Sequence, residues 1–289
     1  GGFVSHLRRF CVSMAVAVLV TTGHERDASI VRRARDLAAE LSAAGQPAIY
    51  EDRDGQSLAR MLSLHALGEC LVVSPCGTML RRRDGSELRI HGGIGVLRLR
   101  NILRGGRDNM VEACELREGD TVIDATAGQL QDAMVAAAAV GPSGRVIALE
   151  ASPVLYAVAS GRPVHTGDAA VDEALSRVEV RLGEHAAVLA SMPSSSADVV
   201  YFDPMFRRPE KSAQSFEVVR DLAHTESLSF EAISQARRVA KRAVVVMDQV
   251  PRRAGSAEDT GAGQNLIRVD DDGTGESCAG VGELERLCA

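Results

Sequence analysis

Four short stretches carry side chains that could do chemistry. Asp203-Pro204-Met205-Phe206 closes an apolar run, Asp198 to Phe202. Proline fixes the backbone just after the acid, so the Asp203 carboxylate and nearby carbonyl oxygens face one direction. Phe206 can stack on a planar ring. An amine conjugated to such a ring is a poor nucleophile, because its lone pair is delocalised. Hydrogen bonds from its N–H groups to Asp203 and a backbone carbonyl favour a pyramidal nitrogen and aim the lone pair at an electrophilic carbon. Positioning and electrostatics then suffice, without a covalent enzyme intermediate. The second stretch, Asp124-Ala125-Thr126-Ala127-Gly128, lies between an apolar run and a helical pattern. Gly128 permits a sharp turn and the close approach of a ligand, and the free N–H groups of the next helix suit a carboxylate or phosphate. With one glycine instead of G-x-G-x-x-G, the turn favours a ligand lacking pyrophosphate. The third is Glu150 at the end of the next run, where a carboxylate can accept both hydroxyls of a ribose. The fourth is Gly183-Glu184, after VEVRL, an acid within reach of an adenine amine. Each has a plainer alternative: an Asp-Pro turn beside a core Phe, a solvated strand-end acid, a polar turn.

The elements that must hold these residues follow from periodicity. Residues 15–21 form an apolar run of strand length, and 27–44 repeat apolar positions at three-to-four spacing up to Gly45, the pattern of an amphipathic helix with its closing glycine. Short strands at 47–50 and 70–74 flank a helix at 57–67, and Asp84-Gly85 marks a hairpin. From 120 onward strands alternate with helices: TVIDA, helix 130–140, RVIALE, helix 153–160, a helix to about 176, VEVRL, helix 185–191, DVVYFD, helix 229–241 and AVVVMD. That alternation predicts an α/β fold, a doubly wound Rossmann-like parallel sheet covered on both faces. The expected organisation is a leader or non-native segment at 1–13, a small N-terminal α/β module at 14–92, the main domain at 93–250 and an irregular tail at 251–289. Within that tail only Asn265 to Val269 resembles a strand.

The 289 residues are 45% hydrophobic and 25% charged, an ordinary globular balance. No apolar run approaches about 18 residues, so no membrane span is expected. A net charge of −6 argues against a general polyanion-coating surface. Aromatics at 3% with no Trp leave no paved stacking surface. Six scattered cysteines without a CxxC read as free or buried thiols in a reducing compartment, and no metal site is expected. Arg98, Arg100 and Arg104 share one predicted helix and could meet phosphates. Arg81 to Arg83 and the basic set Arg237, Arg238, Lys241 and Arg242 read as solvated surface.

DATAG followed by Asp132, an acid after the second strand, and DPMF with a trailing RRPEKSA resemble the class I S-adenosylmethionine-dependent methyltransferases. More narrowly, DVVYFDPMFRRPEKSA, Gly105-Gly106-Arg107 and QARRVAKRAVVV resemble the small-subunit ribosomal RNA guanine-N2 methyltransferase (RsmJ-like) family and its uncharacterised bacterial relatives. The resemblance spans about residues 90–247, and MAVAVLVTTGHERD extends it to those relatives' N-terminal module. It implies S-adenosylmethionine as cofactor, held by Asp124, Ala125, Thr126, Gly128 and Asp132, with Glu150 on the ribose and Glu184 near the adenine. Asp203, Pro204 and Phe206 would address the target base, and Arg107, Arg207, Arg208 and Lys211 the RNA backbone. The implied partner is ribosomal RNA, and the implied location the cytoplasm, or an organelle if residues 1–13 are the remnant of a targeting peptide. Three features depart from the family pattern: Leu130 where many members have a second glycine or a small residue, Glu184 where Asp is commoner, and no evident closing strands after Met247. Other readings are methylation of a small molecule or protein, or a non-catalytic module that keeps the fold; a dinucleotide-dependent oxidoreductase fits the single glycine worst.

Overall fold

A computed structural model describes residues 17–24, 27–90, 93–162, 167–204, 222, 228–248 and 265–269. The first unit is built from β1 (Val18–Thr22), α1 (Ala28–Ala43), β2 (Ala48–Tyr50), α2 (Leu58–Leu64), β3 (Glu69–Ser74), β4 (Gly77–Arg82) and β5 (Glu87–Leu88). Its five strands run in the order β2-β1-β3-β4-β5. β1 is parallel to β2 and β3, while β4 and β5 return as antiparallel hairpins. α1 begins at Asp27, whose carboxylate accepts the N–H groups of Ser29 and Ile30 at 2.8 and 2.9 Å, satisfying donors that a helix start leaves open.

α3 (Gly93–Leu103) and α4 (Asn109–Ala113) lead to the second sheet. Its elements are β6 (Thr121–Asp124), α5 (Gln131–Val140), β7 (Arg145–Glu150), α6 (Pro153–Ser160), α7 (Ala169–Ser176), β8 (Val178–Leu182), α8 (His185–Ser191), β9 (Ala197–Phe202), α9 (Phe230–Val239), β10 (Ala240–Asp248) and β11 (Asn265–Val269). The strand order is β11-β10-β9-β6-β7-β8. All neighbours are parallel except β11, which pairs antiparallel with β10. The one strand-like run of the tail, Asn265–Val269, is thus the closing strand on the sheet edge.

The central strands are apolar throughout because both faces are covered. Val122, Val146, Ala148, Val199 and Tyr201 point into one core with α5. Their alternate neighbours Ile123, Ile147, Leu149, Val200 and Phe202 point into the other, against α9. The two sheets are not independent: Val154, Leu155, Ala157 and Val158 of α6 belong to the cluster formed by Val18, Val20, Ile30, Ala34 and Leu41. Thr78 N–H donates to Gly161 O at 2.6 Å, and Tyr156 O–H to Glu40 at 2.7 Å. α6, whose N-cap is Ser152, follows Glu150 directly, so the first unit buttresses the helix beside one of the candidate site residues.

Several arginines expected on a solvated surface instead tie elements together. Arg83 donates to the carbonyls of Leu62 and Leu67 at 2.9 and 2.8 Å. Arg238 donates to those of Leu189 and Met192, both at 2.7 Å, at the end of α8. Arg242 pairs with buried Asp120. Helix ends expose carbonyls without intrahelical donors, and guanidinium forks satisfy several at once. Cys70 and Cys114 are buried free thiols, and Cys76 is exposed and free.

Candidate active site

The connection after β6 passes through α5 to β7 on one side, whereas β9 lies on the other side of β6. Such a reversal opens a crevice at the carboxyl ends of the strands, where doubly wound sheets bind ligands. Asp124 to Gly128 and Asp203-Pro204 both leave the sheet at this edge.

Hydrogen bonds lock these corners together. Asp203 N–H donates to Thr126 Oγ1 at 2.7 Å, across 77 residues of sequence. Thr126 N–H donates to Asp124 Oδ1 at 3.0 Å, and Ala125 N–H to Tyr201 O at 2.8 Å. On the other flank Gly128 N–H donates to Glu150 Oε2 at 3.1 Å and Ser152 N–H to Glu150 Oε1 at 2.8 Å. Gly183 N–H donates to Glu150 O at 2.9 Å, which brings the end of β8 to the same rim. Each Glu150 oxygen accepts one backbone N–H in these contacts.

Local backbone geometry explains the turn. Gly128 has φ +47°, a region open to glycine at little cost. Leu130 is also left-handed, at φ 61°, and starts α5 without a side-chain cap. The other α/β helices around the rim are capped, α6 by Ser152 and α8 by Glu184. The first-turn N–H groups of α5 are thus left without a capping side chain beside the crevice. α3 approaches this turn closely: a Cβ on Gly95 would lie 3.1 Å from the Cα and O of Gln131.

The electrostatics are strongly one-sided. Asp124, Glu150 and Asp203 line the turn ends, and Asp132 stands in the first turn of α5. Burial, the Asp132 carboxylate, and to a lesser degree Asp203 and Glu150, push Asp124 up to about 8. Burial and Asp132 push Asp203 up to about 7, with Arg98 opposing. Arg98 binds Asp108 through Nε at 2.8 Å and Asp132 through a terminal nitrogen at 2.5 Å. Two polar groups in the region are buried without a hydrogen-bond partner among the described residues: the Gln129 amide, in the turn itself, and the Tyr201 hydroxyl. A buried polar group costs about 1–3 kcal/mol when unsatisfied. The acid excess together with the open amide suits a ligand that carries positive charge and hydrogen-bonding groups. S-adenosylmethionine, a sulfonium with an amino-acid end and a ribose, fits this donor and acceptor set.

The predicted residues are distributed as follows. Asp124, Ala125, Thr126, Gly128, Glu150 and Asp203 meet at one rim through the bonds above, with Pro204 next to Asp203 in the chain. Asp132 faces the same region but is engaged by Arg98. Glu184 caps α8, accepting from Ala186 and Ala187 N–H at 3.0 and 2.9 Å. Arg107 is largely exposed and paired with Glu112. Phe206, Arg207, Arg208 and Lys211 lie outside the described residues, as do residues 1–13. Arg98, grouped by sequence with cations for phosphate, is turned inward to Asp108 and Asp132, and Arg100 pairs with Asp168. Sequence reasoning gave no special role to Tyr201, which looks like any apolar strand residue, or to the Gln129 amide. Among the described residues no group of three His, Cys, Asp or Glu side chains is placed to hold a metal ion, and no helix is long and apolar enough to cross a membrane.

Comparison with known proteins bears on the family and the fold. The family model described as "Putative SAM-dependent methyltransferase" matches residues 85–265. The uncharacterized protein YpiP of Bacillus subtilis is 31% identical over 233 residues, covering 80% of this chain and 88% of that protein. Ribosomal RNA small subunit methyltransferase J of Erwinia tasmaniensis is 32% identical over 212 residues, covering 64% of this chain and 78% of that protein. Among solved structures, a SAM-dependent methyltransferase from Neisseria gonorrhoeae superposes with a TM-score of 0.56 at 19% identity, covering 89% of this chain and 98% of that one; this likeness bears on the fold. A matching family model over more than half the chain, the doubly wound sheet and a crevice suited to a sulfonium identify the chain as a member of the SAM-dependent methyltransferase family.

Proposed function

We propose that the protein transfers a methyl group from S-adenosylmethionine to an exocyclic amine of guanine in ribosomal RNA. The observation that carries this reading is the 2.7 Å bond from Asp203 N–H to Thr126 Oγ1, because it holds the acidic corner against the cofactor turn. The relatives named as ribosomal RNA small subunit methyltransferases support RNA as the acceptor.

Asp124, Ala125, Thr126, Gly128 and Asp132 form the cofactor turn in this reading, Glu150 accepts from ribose hydroxyls, and Glu184 lies toward the adenine. When bound, the cofactor supplies an electrophilic methyl on a positively charged sulfur. Asp203 accepts a hydrogen bond from the target amine, and Pro204 fixes the backbone directly after it. These contacts draw the nitrogen lone pair out of conjugation and orient it, which is catalysis by positioning and preorganised charge. Phe206 stacks on the base. Arg107, Arg207, Arg208 and Lys211 meet backbone phosphates, which gives affinity without sequence selection.

The test is methyl transfer into unmodified small-subunit RNA, followed by mass spectrometry of the digested nucleosides. N2-methylguanosine is the expected product. Label found only in small metabolites or protein would reject RNA as the acceptor, and a different methylated nucleoside would reject the guanine amine.

A further inference from the structure

We propose that Thr126 is a positioning residue for methyl transfer: its hydroxyl fixes the Asp203-Pro204 corner to the cofactor turn and thereby sets the distance between donor and acceptor. This deepens the methyl-transfer reading of the crevice and rests on it. Thr126 stands in the stretch that the family resemblance assigns to the cofactor, but its hydroxyl is engaged elsewhere. Oγ1 accepts the Asp203 N–H at 2.7 Å. Having accepted there, it has one proton to give, and Asp124 Oδ1 lies 3.5 Å away. The same Asp124 oxygen accepts the Thr126 N–H at 3.0 Å. The polarity of the chain is therefore fixed: Asp203 backbone to Thr126 hydroxyl to Asp124 carboxylate.

The geometry explains why a hydroxyl is needed. β6 and β9 are paired along Val122–Asp124 and Val199–Tyr201, and Ala125 N–H reaches Tyr201 O at 2.8 Å. Beyond that bond no further backbone hydrogen bond joins the two chains among the described residues. The Thr126 hydroxyl is the next link outward, and it attaches to the N–H of the very residue whose carboxylate would face the amine. Removing it frees that N–H and lets the Asp203 corner shift relative to the turn. A displacement of about 1 Å at a reacting centre can reduce rate by about 100-fold.

The test compares the full-length protein with Thr126→Val and Thr126→Ser. Cofactor affinity is measured by titration calorimetry, transfer is measured at saturating cofactor, and exchange of the Asp203 amide is measured by NMR. For Thr126→Val the expected result is transfer slowed about 10- to 100-fold, cofactor affinity within about threefold of the parent and Asp203 amide exchange faster by about tenfold or more. Thr126→Ser, which keeps the hydroxyl, restores the transfer rate and the amide protection. A loss of cofactor affinity that matches the loss of transfer would make Thr126 a cofactor contact and overturn the proposal. Unchanged Asp203 exchange in Thr126→Val would overturn it as well. The exchange and affinity measurements need no acceptor, so they decide the role of Thr126 even if the wild-type protein leaves RNA unmethylated, a result that would defeat only the RNA reading.

Discussion

Asp203 works under two opposed demands. In the proposed mechanism it accepts hydrogen bonds from an amine most strongly when ionised, yet burial and the neighbouring Asp132 raise it to about 7. Methyl transfer should therefore increase as pH climbs through about 7 and level off above it. Asp132→Asn removes a nearby negative charge and should move that rise downward by about 0.5 pH unit or more; a pH–rate profile with an unmoved inflection would contradict the assigned cause. The same acids shape stability. Both folded-state values, about 7 for Asp203 and about 8 for Asp124, lie above the roughly 3.9 of an unfolded aspartate. Their contribution is complete at low pH and disappears as pH rises through the folded values. The ligand-free protein should lose thermal stability as pH rises from about 4, the unfolded value, to about 8, with no further loss from these groups above that, and Asp124→Asn should flatten the decline. A Tm of the variant that falls as steeply as the parent's would show that another group is responsible.

At the scale of elements, the start of α5 is the unusual feature. Leu130 is fully buried but left-handed, a conformation that costs a non-glycine residue about 1 kcal/mol or more. Leu130→Gly would relieve that strain but empty a buried leucine site, worth about 2–5 kcal/mol. The cavity should win, with a net loss of about 1–4 kcal/mol in urea denaturation. A stabilised variant would mean that strain dominates. The strands and helices from 120 to 248 were legible in sequence because the parallel strands are continuous apolar runs punctuated by amphipathic helices. The turn acids were legible because each sits where such a run stops. Arg98 was misjudged for a physical reason: its partners Asp108 and Asp132 are 10 and 34 residues away, and helical spacing shows a basic face without showing what packs against it. Tyr201 was invisible because its hydroxyl matters only once Asp124, Asp132 and Asp203 surround it. The strand-like run Asn265 to Val269 was legible in the tail, but its place as the closing edge strand was not, since one antiparallel strand inside a Gly- and Asp-rich stretch carries no sign of its partner.

For the whole molecule, the shared cluster of α6 with β1 and α1 predicts that the two sheets unfold together. Calorimetry should show one transition with equal calorimetric and van't Hoff enthalpies. Val158→Asp, which places a charge in that shared cluster, should lower the midpoint of the entire transition; two separated transitions in the parent would contradict a common core. With a net charge of −6, the proposed RNA acceptor has to be drawn in by local cations, so its binding should weaken steeply with salt. All of this depends on the joining of two chain corners into one catalytic crevice, and single-turnover methyl transfer by Asp203→Ala at saturating S-adenosylmethionine probes it most directly. The expected result is transfer reduced by about 100-fold or more with cofactor affinity preserved; transfer at the wild-type rate would contradict it.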